Sequence, residues 1–423
     1  MTSQHAEATT RRPARLTSQS AARRPAGLIG RIEAATPASR DRGLDGIRAL
    51  AITSVVIGHW FVTALVVTDG GAVRAVSPLA RLPGYAPVSW ILQLLGLFFL
   101  VGGYSGALAL TRSRARGEAY RDWIRGRLLR LARPLVTVAA LAGAILALLA
   151  FAGLPAGTLR TVALLVFQPL WFVAVYAAVT ALTPLALALD RRLGIAAALL
   201  PLLLVAVVDA LRYSGAAPGW LGVVNVLPGW FFAYLLGVAW AHDRIGRRGA
   251  ALLAGAGAGL ALLLVLRLGY PVSMVGVPGA DRTNFGPPSL LVPALTALQA
   301  GLAVLARPRI AAALRRPGPW TAVALVNLAA MTIFCWHQLT LLALTTATWL
   351  AVPGGVAGLH DLPRTPDWIL HRLSWFPLYL LLVAACVALA RRFEAPWRGV
   401  RWPARVVAGA LAAGFVAYAA HVS

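Results

Sequence analysis

Two residues near the start of the first apolar stretch have types and spacing that suit acyl or proton transfer. The segment Asp41-Arg-Gly-Leu-Asp45-Gly-Ile-Arg48 leads into Ala-Leu-Ala-Ile-Thr-Ser-Val-Val-Ile-Gly-His59-Trp60. Eleven helical residues at about 100° each return to within about 20° of the same face. Arg48 and His59 therefore share a stripe, separated along the axis by ~16 Å. An arginine at the mouth of such a helix can grip phosphate bidentately. A histidine three turns deeper can serve as a general base, because its ordinary pKa lies close to neutrality. The separation is comparable to an extended pantetheine arm, so one helix could hold both the nucleotide end and the thioester of an acyl-CoA. Asp45, three residues before Arg48, is placed to orient it. Each residue also has a plainer reading: Arg48 as a topological anchor, and His59 as a structural hydrogen-bonding residue.

The elements that position this pair must sit in lipid. Of the 423 residues, 59% are hydrophobic and 13% charged, and mean hydropathy is +0.74. Soluble domains carry roughly 25% charged residues. A span needs roughly 20 apolar residues, and about eleven such runs occur, from Ile47–Val67 through Val162–Leu189 and Ile195–Leu211 to Val406–Ala420. The fold expected is an all-α polytopic transmembrane bundle of about 10–11 spans. All 39 basic residues are arginine, and 31 fall in the N-terminal arm and alternate loops, against eight elsewhere. That asymmetry predicts a cytoplasmic N-terminus and accounts for the formal charge of +25 without nucleic acid. Arginine in place of lysine throughout suggests a GC-rich bacterial genome, and hence a multi-pass protein of the bacterial plasma membrane.

Residues 1–40 read as a disordered Arg-rich cytoplasmic arm, 41–400 as the membrane domain, and 401–423 as an additional C-terminal span. Neither cysteine has metal-ligand or disulfide spacing, and no metal is expected. The sequence contains no GxxxxGK, HExxH or GxSxG motif and no paired intramembrane carboxylates. Asp209 is the one clear acidic candidate inside a span, near its end.

Further motifs join Arg48 and His59. These are Phe98-Phe99-Leu-Val-Gly102-Gly103-Tyr104, Arg127-Leu-Leu-Arg130-Leu-Ala-Arg133-Pro134, Pro169-Leu-Trp171-Phe-Val and Trp336-His337. In this order the set resembles the acyltransferase-3 family of bacterial membrane O-acyltransferases, over most of the chain. The resemblance implies transfer of an acyl group from cytoplasmic acyl-CoA, as co-substrate with no bound cofactor, to a hydroxyl of a cell-surface glycan, lipid or secreted metabolite. It places the catalytic histidine at His59 and donor binding on Arg48, Arg127 and Arg130; Asp45 is counted with His59 as a catalytic residue, through its orientation of Arg48. Gly102 stands where the family carries serine; with Gly103 and Gly106 it favours close helix packing.

Read independently as a helix, Tyr120–Pro134 puts Arg127 on the apolar face and Arg130 at its edge. An arginine so placed wants an anionic partner. The remaining arginines of this loop read as anchors. The acceptor side is expected to involve His337, late in its span, and Tyr270, Asp281 and Asn284 in a Gly/Pro-dense loop. That loop reads equally well as a connector, and His337 as an interfacial residue. The rival function is a non-catalytic transporter or flippase for an anionic lipid-linked or glycosylated metabolite.

Overall fold

The computed structural model describes residues 27–68, 71–352 and 354–394. Within the segment expected to lack structure, Gly27–Ala34 forms a helix of two turns. The expected eleventh span, Val406–Ala420, lies outside the described residues, as does residues 1–26 of the arm. The compact unit that carries the site begins at Asp41.

Ten helices or helix pairs among the described residues are long and apolar enough to cross a membrane. They are Arg42–Val62, Pro83–Ala115, Tyr120–Phe151, Ala156–Ala181, Thr183–Tyr213, Gly219–Ala241, Arg247–Arg267, Leu291–Ala313, Pro317–Ala351 and Asp367–Ala390, here called the first to tenth spans. The protein is thus an all-α polytopic membrane bundle. Its outer surface is apolar: Leu148, Phe151, Leu203, Leu252, Leu266 and Leu381 are all exposed. Only hydrocarbon makes such a surface stable.

Three boundaries differ from the sequence reading. The first helix stops at Val62, with Thr63 extended. Ala64–Val67 then pairs antiparallel with Val73–Val76, in register from Ala64↔Val76 to Val67↔Val73. The β-branched run Leu-Val-Val-Thr before a Gly-Gly turn favours this hairpin over a further helical turn. The apolar run Val162–Leu189 is cut at Leu182, where Thr183-Pro184 starts a new helix. The fifth span is longer than its apolar run, because it is built of two pieces. Helix Thr183–Leu193 ends at Gly194, whose φ of +59° needs glycine, and Leu199–Tyr213 follows.

The second and sixth spans approach closely. Their glycines face each other's backbone: a Cβ on Gly103 would strike the Tyr234 carbonyl, and one on Gly237 the Leu100 carbonyl. In lipid, where no hydrophobic force draws helices together, such contact through small residues supplies the van der Waals attraction. Gly102 serves the same end. A Cβ there would sit 2.8 Å from the Tyr176 ring and 2.9 Å from its hydroxyl oxygen. The packing reading of Gly102, Gly103 and Gly106 thus has a physical basis at each residue, since Gly106 faces the Tyr234 hydroxyl.

The first span, which carries the candidate residues, is anchored at its start. Asp41 caps it by accepting the Leu44 N–H at 2.9 Å, and Arg307 Nε of the eighth span donates to the same carboxylate at 3.1 Å. Asn327 of the ninth span donates to the Asp45 carbonyl at 2.8 Å. Three helices are thereby fixed at one end.

Replacing Gly103 with Ala should lower the thermal unfolding midpoint of the detergent-purified protein, at a cost of about 1–3 kcal/mol. Gly255→Ala, where an added Cβ meets nothing within 4 Å, should leave it unchanged.

Candidate active site

His59 and His337 come together. His59 Nδ1 lies 2.7 Å from His337 Nε2, with the two rings inclined by only 17°. They belong to the first and ninth spans, 278 residues apart in sequence. His337 is 1% exposed.

The partners of this pair fix its proton arrangement. His337 Nδ1 is 2.6 Å from the Phe334 carbonyl oxygen. A carbonyl only accepts, so His337 Nδ1 must carry the proton. In a neutral imidazole the other nitrogen is then an acceptor. His337 Nε2 therefore receives the hydrogen from His59 Nδ1–H, and His59 Nε2 is left with a free lone pair. The direction Phe334 carbonyl, His337, His59 leaves Nε2 of His59 as the unprotonated nitrogen of the pair.

The surroundings hold the arrangement rigidly. Trp60 is fully buried and its indole N–H donates to the His337 carbonyl at 3.0 Å. Thr340 Oγ1 donates to the same carbonyl at 2.6 Å. Trp60 in turn lies against Tyr379, with ring centroids 5.0 Å apart. The end of the His59 helix is held by Arg372, which is completely buried. Its guanidinium donates to the Thr63 carbonyl and, at 2.6 Å, to the Tyr379 hydroxyl, and it sits over the Trp368 ring. A cation on the last carbonyls of a helix is favoured by the helix dipole as well as by hydrogen bonding.

His59 lines a cavity of about 520 Å³. The first and ninth spans form one side, with Phe334 and Gln338 from the latter. Trp171 and Phe172 form another, and the hairpin and residues 275–286 close the rest. No residue with a formal charge lines it; apart from His59 the polar lining consists of amides and hydroxyls.

This arrangement, a histidine pair set in an apolar membrane bundle beside a cavity, fits the result of a comparison with protein-family models. Residues 41–391 match the family described as "Acyltransferase domain". The chain belongs to that acyltransferase family. No curated relative and no solved structure matches it. The family assignment makes the protein a membrane acyltransferase in general terms, and the resemblance read from the motifs is to this same family.

The other candidate residues divide between two places. Arg48 Nη2 donates to Ser105 Oγ at 3.0 Å. Arg127 lies over the Trp123 ring, 4.6 Å from its centroid, and feels the charges of Arg48 and Arg130. Its Nε is buried without a partner, and none of the three arginines pairs with a carboxylate among the described residues. Arg48, Arg127 and Arg130 thus form a cationic group at the end of the first span remote from His59. Asp45 is buried one turn from Arg48.

The acceptor-side loop is a folded clasp. Tyr270 donates to Asp209 at 3.0 Å, and this buried carboxylate also receives Asn225 Nδ2 at 2.9 Å and the Leu290 N–H at 2.6 Å. Beside Asp209, burial pushes the Tyr270 phenol well above its ordinary value. Asn284 is fully buried, donating to the Pro271 and Ser273 carbonyls at 2.6 and 2.8 Å. Asp281 is exposed. Tyr270, Asp281 and Asn284 do not line the cavity; Thr283, Phe285 and Val275–Pro278 do. The loop therefore reaches the site through neighbours of the residues singled out in it.

The sequence reading did not find Arg372 or Gln338. For Arg372 a signal existed, since it is one of the few arginines on the side from which arginine is otherwise excluded. Substituting Arg372 with Met orphans the Thr63 carbonyl and Tyr379 hydroxyl, which costs about 1–3 kcal/mol for each group. The expected result is a thermal midpoint several degrees below wild type, measured in detergent by scanning fluorimetry, with hydrogen exchange increased at residues 59–67.

Proposed function

We propose that the protein transfers an acyl group from cytoplasmic acyl-CoA to a hydroxyl group on a cell-surface glycan, lipid or secreted metabolite in the bacterial plasma membrane. The observation that supports this reading is that His59, whose Nδ1 is tied to His337, lines the cavity, so its other ring nitrogen is the candidate base. A base so oriented by a third group follows the logic by which a catalytic histidine is held in one tautomer.

In this mechanism the acceptor hydroxyl lies in the cavity and gives its proton to His59 Nε2 as its oxygen attacks the acyl carbonyl carbon. A C–O bond forms and the thioester C–S bond breaks. The proton passes from His59 to the departing sulfur, so free CoA thiol leaves and His59 returns to its starting state. While His59 carries the second proton, its Nδ1–H remains donated to His337 Nε2, which disperses the charge. Arg48, Arg127 and Arg130 bind the phosphates of the donor. Guanidinium groups with no carboxylate partner among the described residues, beside an apolar bundle, are a favourable setting for a bidentate phosphate contact.

Base catalysis of this type contributes about 10²–10⁴ in rate. CoA release by protein in nanodiscs, with acetyl-, propionyl- and octanoyl-CoA as donors and a cell-envelope extract as acceptor, should fall at least ~100-fold in His59→Ala. His337→Phe should reduce kcat with little change in the donor KM. Arg48→Ala should raise the donor KM. Turnover that survives loss of His59 contradicts the mechanism, and failure to bind acyl-CoA at all returns the transport reading to first place.

A further inference from the structure

Phe285, Trp171, Phe172 and Phe334 form one wall of the cavity that His59 lines. Successive ring centroids lie 5.6, 6.4 and 5.0 Å apart, so the wall runs unbroken from the loop to the ninth span. At its end, Phe334 stands 5.6 Å from the His337 ring. Leu92, Leu95, Leu165, Val275 and Val277 add aliphatic surface around it.

Much of the polar lining is already spent on the protein itself. Ser89 Oγ donates to the Ala86 carbonyl at 2.5 Å and accepts the Met274 N–H at 2.8 Å. Ser77 Oγ accepts the Leu79 N–H, and Thr283 Oγ1 those of Phe285 and Gly286, at 3.3–3.4 Å. Gln93 Oε1 accepts the Leu95 N–H at 3.4 Å, and Gln168 has an interaction partner of its own. Beyond His59, this leaves Thr63 and Gln338, whose Oε1 has no hydrogen-bond partner and so suits a single donor. A hydroxyl taken from water and left unpaired is costly, and an unbalanced charge is more so. A glycosyl unit brings several hydroxyls, more than these side chains can answer. A carboxylate or phosphate brings a charge that no lining residue balances. An alcohol with an apolar body needs only ring and aliphatic surface for the body and a base for the hydroxyl.

We infer that the acceptor is an uncharged alcohol with a predominantly apolar body, seated against the Phe285–Phe334 wall with its hydroxyl at His59. This rests on the acyl-transfer reading above and removes polyhydroxylated and anionic glycan units from its acceptors. The proton and the acyl group move as described there, and the product is a neutral ester. The cavity, at about 520 Å³, is of the size that holds drug-sized ligands. An acetyl group on the donor leaves nearly all of that volume to the acceptor.

Protection of His59 from diethyl pyrocarbonate, which modifies unprotonated imidazole, reads occupancy of the cavity with no donor present. Modification is followed by peptide mass spectrometry on the full chain in nanodiscs, with the exposed His242 and His371 as internal references. Borneol should slow modification of His59 alone. Methyl β-glucoside and methyl β-glucuronide should not, even at about 10-fold higher concentration. Val277→Asp, which sets a charge on the loop side of the cavity, should lose the protection by borneol. With acetyl-CoA added, bornyl acetate should form in wild type and not in His59→Ala. Protection by either sugar at the concentration of borneol, or none by borneol, overturns the assignment and leaves the role of His59 untouched. Protection by octanoyl-CoA alone gives the wall to the acyl chain and likewise overturns it. Protection by borneol with neither ester formation nor CoA release overturns the acyl-transfer reading, and the acceptor assignment with it.

Discussion

One hydrogen bond organises the functional end of this molecule: His59 Nδ1–H to His337 Nε2 at 2.7 Å. Its direction is not free. Because the Phe334 carbonyl can only accept, the proton of His337 is committed to Nδ1, and every later choice of tautomer follows. A backbone carbonyl here does what a carboxylate does in many catalytic triads, without placing a negative charge inside the bilayer, where an ion is expensive. The packing around the pair has the same consequence. Trp60, Thr340 and the Tyr379–Arg372 contact leave neither helix able to turn without orphaning a buried polar group.

The remaining architecture can be understood as keeping two chemically different ends apart along the first span. At one end, Arg48, Arg127 and Arg130 concentrate positive charge without carboxylate partners among the described residues. At the other, the cavity is lined by His59, amides, hydroxyls, and aliphatic and aromatic side chains, with no formally charged residue. Glycine contacts between the second and sixth spans let the inner helices approach closely enough that this separation is made by packed side chains. The clasp on Asp209 holds the loop whose neighbouring residues roof the cavity. Asp209, the acidic residue the sequence offers to a proton-coupled pump, is occupied by Asn225, Tyr270 and Leu290 in that structural duty.

Much of this was legible in the sequence because it depends on local pattern. Spans are contiguous apolar runs, so their number and approximate limits follow from composition; Arg48 and His59 share a helix, so their common face follows from the helical period. The failures are of the opposite kind. The hairpin after Val62 was hidden because Leu-Val-Val is as apolar as a helix end, and only pairing with Val73–Val76 decides between the two. His337 could be marked as a residue of interest, but not as the partner of His59, since nothing local connects residues so distant in the chain. Tyr270 and Asn284 were chosen as polar residues in an unusual loop. Polar residues in such loops also serve to satisfy the loop's own buried backbone, as Asn284 does, or to tie the loop to a neighbouring span, as Tyr270 does through Asp209. Gln338 carried no signal, because an amide beside a histidine is notable only once its lack of partners is visible.

The central claim is the proton arrangement of the histidine pair, and nitrogen-15 NMR of the histidine-labelled protein in nanodiscs reads it directly. With resonances assigned by comparison with His59→Gln and His337→Gln, both rings should be neutral near pH 7.5 and protonated at Nδ1, with the Nε2 of His59 showing the shift of a free or weakly hydrogen-bonded lone pair. A His337 ring protonated at Nε2 instead, or a His59 ring with its proton on Nε2, would leave no base facing the cavity and would contradict the account.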